Sequence, residues 1–455
     1  MWQKIINHKI LSFIKDKNIR LLIVVGLAFR LVLSLLYLHV SRFPDSGTFL
    51  ELLDRLLAFN LKDYSGLRSP GYPLLMFFAF GSTILTAIYQ FFLGVASSVL
   101  WYKTLINIKF TSKNALFMAL FLESFLHVYF YETAILIETL ALFLISIMVY
   151  ELSNGYLENN SFKKDALMAF VLSFLTLTKP FFAYLPFLIF GFYVIKDFRF
   201  KKLFSKKIII VVATLFTYFG WSYINKINTG YFVSTTFFGL NLSQNCVYFA
   251  ENTSDEYKWI GNTYARYRDK LLAENDTITD ENKKNDLAMT VWHAHNELIL
   301  KTDNNFPKLS SELGKYAVAT IKKNPKEYAK QVVYRSWLDF WYPFLAWNKE
   351  EFVVPYVNDV LFFIWRIQHK VLYLIKLSFV LLIPFYIYLF LKNRKVTFSF
   401  MMIIIVFTTS ILQGMVTYGT NAKYSFPFEF IMVIVVLQFI KKYVPLPYFA
   451  KKYLE

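Results

Sequence analysis

The sequence holds a single cysteine, Cys246, among 455 residues, so no intramolecular disulfide can form. Charge is scarce too, at 18% of residues, where a soluble chain carries about 25%. Acidic residues are the rarer sign, with 31 Asp and Glu against 49 Lys and Arg. There is no phosphate-cradling glycine loop, no His-Glu-x-x-His and no nucleophile elbow, which leaves nucleotide-driven chemistry without support. No internal repeat is visible, inverted or parallel, and that weighs against a transporter. Met1–Arg20 lacks a small-residue cleavage site but carries Lys4, Lys9, Lys15, Lys17 and Arg20. It reads as a cytoplasmic interfacial segment, not as a removable signal peptide.

What is abundant is apolar: 56% of residues are hydrophobic and mean hydropathy is +0.41. Long apolar runs such as Leu21–Val40 and Val396–Tyr418 exceed the roughly 18 residues that cross a hydrocarbon core. Soluble enzymes, nucleic-acid binders and secreted disulfide scaffolds are excluded, and a mainly α, polytopic membrane protein is expected. Apolar spans fall near 21–40, 73–102, 112–131, 133–150, 166–178, 181–195, 208–224, 371–391, 397–417 and 424–440. The count is therefore about 10 helices, with 10–13 allowed by the short spans and by the 354–368 run around Arg366. With the N-terminus in the cytoplasm, the segments on that side hold 23 Lys/Arg against 6 Asp/Glu, nearly the whole net charge of +18. The positive-inside rule then places both termini in the cytoplasm of a plasma (inner) membrane.

Three parts follow: a membrane module over 1–224 with a first outer loop at 41–72, a large α-rich extracytoplasmic region over 225–370, and C-terminal membrane helices over 371–455. Helical patterning is strong in 309–340. Pro73–Tyr102 is 30 residues, about 45 Å as a helix. It is too long for one upright span, so it tilts or begins as a short element on the outer face.

Asp45 sits just beyond the outer end of the first span, after Pro44, whose φ is fixed. Ser46 is placed to N-cap the amphipathic run Phe49, Leu52, Leu53, Leu56 and Leu57, which is expected to lie flat on the membrane. Two readings of Asp45 stand side by side: a carboxylate presented to a lipid-linked substrate at headgroup level, or a helix cap and nothing more.

The stretch Asp45-Ser46, an amphipathic helix, then Arg68-Ser69-Pro70-Gly71-Tyr72-Pro73 resembles the GT-C glycosyltransferases. The nearest branch is that of protein mannosyltransferases, aminoarabinose transferases and rhizobial lipopolysaccharide-core transferases. Further segments resemble it in order: Leu136-Ile137-Glu138-Thr139-Leu140, Thr176-Leu177-Thr178-Lys179-Pro180, Trp221 to Asn225 with Gly230 and Gly239-Leu240-Asn241, and Ala422-Lys423-Tyr424-Ser425-Phe426-Pro427. Lys423 stands where that branch usually has Arg, and one Asp stands where an acidic pair is common. The resemblance implies a GT-C-type bundle and an inverting transfer of a sugar from a polyprenyl-phosphate donor. The acceptor is a hydroxyl of a glycolipid, glycan or protein on the extracytoplasmic side, in cell-envelope or surface-glycan biosynthesis. It implies Asp45 as general base and Arg68, Tyr72, Lys179 and Lys423 as ligands of the donor phosphate, with Tyr424 a further candidate. For Lys179 and Lys423 the alternative is a snorkelling anchor at a span end. Lys376 is expected to be such a belt lysine. No cofactor or nucleic acid is expected, and the need for a divalent ion is left open.

Arg30, Glu123 and Glu138 fall within spans, where charges must pair or reach water. Arg30 and Glu123 lie at similar depth and are expected to form a structural ion pair; Glu138 either lines a cavity or orients helices. His293-Ala294-His295 has no acidic residues at ligand spacing, so no metal is expected there. Two rival functions remain: a polysaccharide ligase or polymerase acting on pyrophosphate-linked glycans through Arg266, Arg268 and Arg335, and a lipid flippase or transporter.

Overall fold

The computed structural model describes residues 16–197, 199–274, 286–345, 347–419 and 421–445. Most of the expected interfacial segment at the N-terminus and the last ten residues of the basic tail lie outside the described residues. Helix accounts for 78% of the structure and, among the described residues, no strand forms.

The first half of the chain runs through α1 (Lys17–Leu36), α2 (Pro44–Leu57), α3 (Gly71–Phe78), α4 (Thr83–Asn107), α5 (Ser112–Glu123), α6 (Leu126–Glu132), α7 (Glu138–Ser153), α8 (Phe162–Thr178), α9 (Leu185–Ile195) and α10 (Ile209–Thr229). Next come α11 (Phe238–Gln244), α12 (Lys258–Glu274), α13 (Thr290–His293), α14 (His295–Leu300), α15 (Phe306–Lys323) and α16 (Pro325–Gln331), then a π turn, Val332–Trp337. The chain closes with α17 (Pro355–Asn393), α18 (Phe398–Val416), a 3-10 segment Asn421–Phe428 and α19 (Glu429–Tyr443). Six of these stretches are long and apolar enough to cross a bilayer: Lys17–Leu36, Thr83–Asn107, Lys206–Thr229, Pro355–Asn393, Phe398–Val416 and Asn421–Tyr443. The pair α5 and α6, bent by 59°, makes a seventh if taken as one broken span. Exposed Val24, Leu31, Phe216 and Leu381 on their outer faces form the apolar surface that lipid covers. The chain is a helical membrane protein.

Local chemistry corrects several expected boundaries. The 73–102 run is two elements: α3 stops at Phe78, Phe80 and Gly81 take positive φ, and the Ser82 hydroxyl accepts from Leu85 N–H to start α4. Glu138 does not sit within a span. Residues 134–137 are irregular because Ser41 pairs with them (Ser41 N to Thr133 O 2.9 Å, Ile135 N to Ser41 O 3.0 Å), so α7 begins at Glu138. The 354–368 run is not a separate interfacial piece but the start of α17, which continues unbroken across residue 370 to Asn393. Within the 225–370 stretch, α11 to α16 close their own core around Leu240, Tyr264, Leu309 and Tyr316, with Tyr418 joining from the end of α18.

Four loops meet at one end of the bundle. Lys441 Nζ donates to Lys109 O at 2.6 Å, Lys207 Nζ reaches Asp165 at 2.9 Å, and Lys196 pairs with Glu158. Helix α8 starts at that end and delivers Lys179 about 25 Å away, at the opposite end.

The Arg30–Glu123 pair is present at 2.8 Å, but a second carboxylate shares the guanidinium. Glu132 accepts from Arg30 Nε at 2.7 Å and from Nη2 at 2.6 Å. All three side chains are at most 3% exposed. Glu132 falls between the spans expected at 112–131 and 133–150, and the bend between α5 and α6 brings it to the same guanidinium as Glu123. Arg30→Met would strand two buried carboxylates, at a cost of about 3–5 kcal/mol. The expected readout is a clear fall in unfolding temperature in detergent, largely reversed when Glu123→Gln and Glu132→Gln are added; an unchanged temperature in the single variant would show that the network carries no stability.

Candidate functional site

The site assembles from the first long loop inward. Helix α2 starts at Pro44, one turn earlier than expected, with Phe43 as its N-cap residue. Ser46 is therefore not the cap but the third helical residue: its hydroxyl accepts from Phe43 N–H at 2.9 Å and donates to Ile135 O at 2.8 Å. The apolar face of α2 does not lie on lipid as expected. Phe49, Leu52 and Leu53 are buried against α3 and the Tyr64–Trp221 cluster, because protein surface covers that face first. Asp45 is thus held in the first turn of a helix packed on the bundle, where the helix dipole favours a carboxylate.

Asp45 does not cap that helix. Its Oδ1 accepts from Arg68 Nη2 at 2.7 Å and its Oδ2 from Lys423 Nζ at 2.7 Å, partners 23 and 378 residues away. Burial by itself would raise the carboxyl, but the Lys423 ammonium and the Arg68 guanidinium outweigh it and hold Asp45 well below the ordinary carboxylate range. Arg68 is fixed on every side. Its Nε donates to Thr48 Oγ1 at 2.7 Å, and its plane lies between the Phe49 and Phe237 rings at 4.5 and 4.6 Å. Its backbone N–H donates to the buried Tyr64 hydroxyl at 2.6 Å.

Lys179 arrives from α8. A Cβ at Gly71 would stand 2.7 Å from Thr178 Cα, so only glycine lets the start of α3 touch the end of α8. The Lys179 ammonium donates to Gln413 Oε1 at 3.2 Å and sits 3.2 Å above the Tyr424 ring. Neither Lys179 nor Lys423 points outward as a snorkelling anchor would. Glu138, 2% exposed, stands beside them at the head of α7, and its Oε2 has no hydrogen-bond partner.

Two chambers share a wall of Asp45, Arg68, Lys423 and Tyr424. The smaller, about 270 Å³, adds Glu138, Lys179, Phe181 and Gln413 and reaches Tyr218 on α10. The larger, about 630 Å³, adds Phe130, Tyr131, Trp292, Phe344 and Gln244, shares Asn241 with the smaller, and has no charged side chain beyond those in the wall.

Tyr72 is not brought to the site. It is fully buried and its hydroxyl donates to Gln90 Oε1 at 3.1 Å, because the register of α3 turns it toward α4. Lys376 is no belt lysine either. It is 1% exposed, pairs with Glu429 at 2.6 Å, and donates to Ser425 Oγ at 2.6 Å and Tyr342 O at 3.0 Å. Glu429 also takes His127 Nε2 at 2.5 Å, so this group anchors the turn that carries Lys423. A basic and an acidic residue spaced far apart in two spans give no signal of such a pairing. Arg266, Arg268 and Arg335 engage Glu297, Glu251 and the Tyr248 ring, and none lines either chamber. His293 is exposed and His295 packs against Trp292 and Phe306; among the described residues, no group of three or more His, Cys, Asp or Glu is placed to hold a metal ion.

No family model matches the chain, and neither a curated protein nor a solved structure matches it.

The lowered Asp45 titration makes a pH test. Its stabilising contribution is complete above the unfolded value of about 3.9 and is lost as pH falls through the depressed folded value. In Lys423→Met that folded value moves up and the window narrows. Unfolding free energy should therefore fall less steeply with acidification below about pH 4 in the variant than in the wild type; equal slopes would mean that Lys423 does not hold the carboxylate.

Proposed function

We propose that this protein is an integral-membrane, inverting glycosyltransferase of GT-C type, using a polyprenyl-phosphate sugar on the extracytoplasmic side of a plasma membrane. The observation that carries the reading is the carboxylate clamped between two cations in the wall between two chambers. Beyond the six long spans and the bent pair, the shorter apolar stretch Pro180–Ile195 is a further candidate crossing, and a GT-C-type bundle of about ten helices is reached only if α7 and α8 cross as well. The lysine-rich loops gathered at one end support a cytoplasmic face there, with the site at the other.

The smaller chamber suits the donor. Tyr218, together with the exposed Phe216 and Phe219 on the same helix, offers a route for an isoprenoid chain from the lipid. Arg68, Lys179 and Lys423 suit its phosphate, Arg68 as a fork and the lysines as point charges. The larger chamber, charged only along the shared wall and otherwise lined by aromatic faces and two amides, suits an acceptor presenting a hydroxyl toward Asp45. The acceptor oxygen forms a bond to the anomeric carbon as the bond from that carbon to the phosphate oxygen breaks. The electron pair leaves with the lipid phosphate, and the hydroxyl proton passes to Asp45. A clamped carboxylate is a poor base. The arriving phosphate competes for Lys423 and Arg68, however, so donor binding releases Asp45 from its counter-ions and restores its basicity. Positioning and neutralisation of the departing phosphate supply the remainder.

The polymerase or ligase reading loses its candidate arginines, which face other partners, and no separate observation favours transport. The test uses purified protein with a single-sugar polyprenyl phosphate and glycan or peptide acceptors. Asp45→Asn is expected to lower kcat by about 10²–10⁴ while the donor KM stays level or drops, since two cations are freed for phosphate. Near-normal turnover in the folded variant would overturn the assignment.

A further inference from the structure

Of the five charged side chains lining the smaller chamber, Glu138 is the one that the transfer chemistry leaves without a task. It is almost wholly buried, and its Oε2 has no hydrogen-bond partner. Glu123 and Glu151 also keep one buried oxygen without a hydrogen-bond partner, but neither lines either chamber, whereas Glu138 does. The charged groups that act on it are Lys423, Lys179 and Asp45. Its effect on the chamber is therefore one of charge. Arg68, Lys179 and Lys423 set against Asp45 and Glu138 leave an excess of one positive charge; without Glu138 the excess would be two.

Resting on the donor reading above, we infer that Glu138 is a specificity-determining residue that fixes the chamber's charge to match a lipid joined to its sugar through one phosphate. Such a phosphodiester carries a single negative charge, whereas a pyrophosphate-linked lipid brings at least two. Glu138 lines the same chamber as the three cations assigned to the phosphate. It therefore repels the pyrophosphate while its neighbours neutralise the diester, so discrimination comes from a repulsive element as well as attractive ones.

The full-length protein in nanodiscs is titrated with two probes, farnesyl methyl phosphate as the singly charged diester and farnesyl pyrophosphate. Wild type is expected to prefer the diester. Glu138→Gln, which keeps shape and removes charge, should move the ratio of the two Kd values at least tenfold toward pyrophosphate, and Glu138→Asp should retain the wild-type ratio. Lys179→Met, built on a different helix, should move the ratio the other way, so the test survives if the Gln variant does not fold. An unmoved ratio in Glu138→Gln, or an Asp variant that behaves like Gln, would overturn the inference and leave the donor reading intact. Failure of both probes to bind wild type would instead remove the donor reading on which it rests.

Discussion

The ion bridge from Arg68 through Asp45 to Lys423 is the constraint on which the rest of the site depends. It joins the loop after the first membrane helix to the turn before the last. The three charges are partly buried, so each is favoured by the presence of the others. The surrounding structure is arranged to hold each end still. Tyr64 moors the Arg68 backbone, Phe49 and Phe237 sandwich its plane, and the Lys376–Glu429–His127 group grips the turn behind Lys423.

Around this bridge the cations outnumber the carboxylates, and that surplus is an unfinished electrostatic arrangement. A site built purely for stability would pair its charges one to one. Here Lys179 rests on an amide and an aromatic face, while Glu138 keeps an oxygen free. In the proposed reaction the surplus cation is what an arriving anion completes.

The motifs named in the sequence brought Asp45, Arg68, Lys179, Glu138 and Lys423 to one place, and depth counting paired Arg30 with Glu123. What sequence could not supply was rotation and local breaks. Tyr72 lies inside the motif, yet the turn of α3 points it at Gln90 instead of the chamber. Glu132 falls between two expected spans, and only the 59° bend joins it to the ion network. Lys376 sits in an apolar run where either an outward or an inward rotamer fits the pattern, and only Glu429, on a helix 53 residues later, decides between them. Position along a helix axis is written in hydropathy; azimuth around it is written in partners that are distant in the chain.

The common wall between the chambers has a bearing on traffic. Two pockets arranged in tandem would force one occupant to wait behind the other, and each cycle would need an opening motion to clear the queue. Under the proposed transfer, pockets that merely abut would let a spent lipid leave toward the bilayer while a lengthened acceptor withdraws toward water, neither departure obstructing the next arrival. Such a layout favours repeated turnover with little movement of the backbone, the rigidity of the clamped arginine being an asset and not a hindrance.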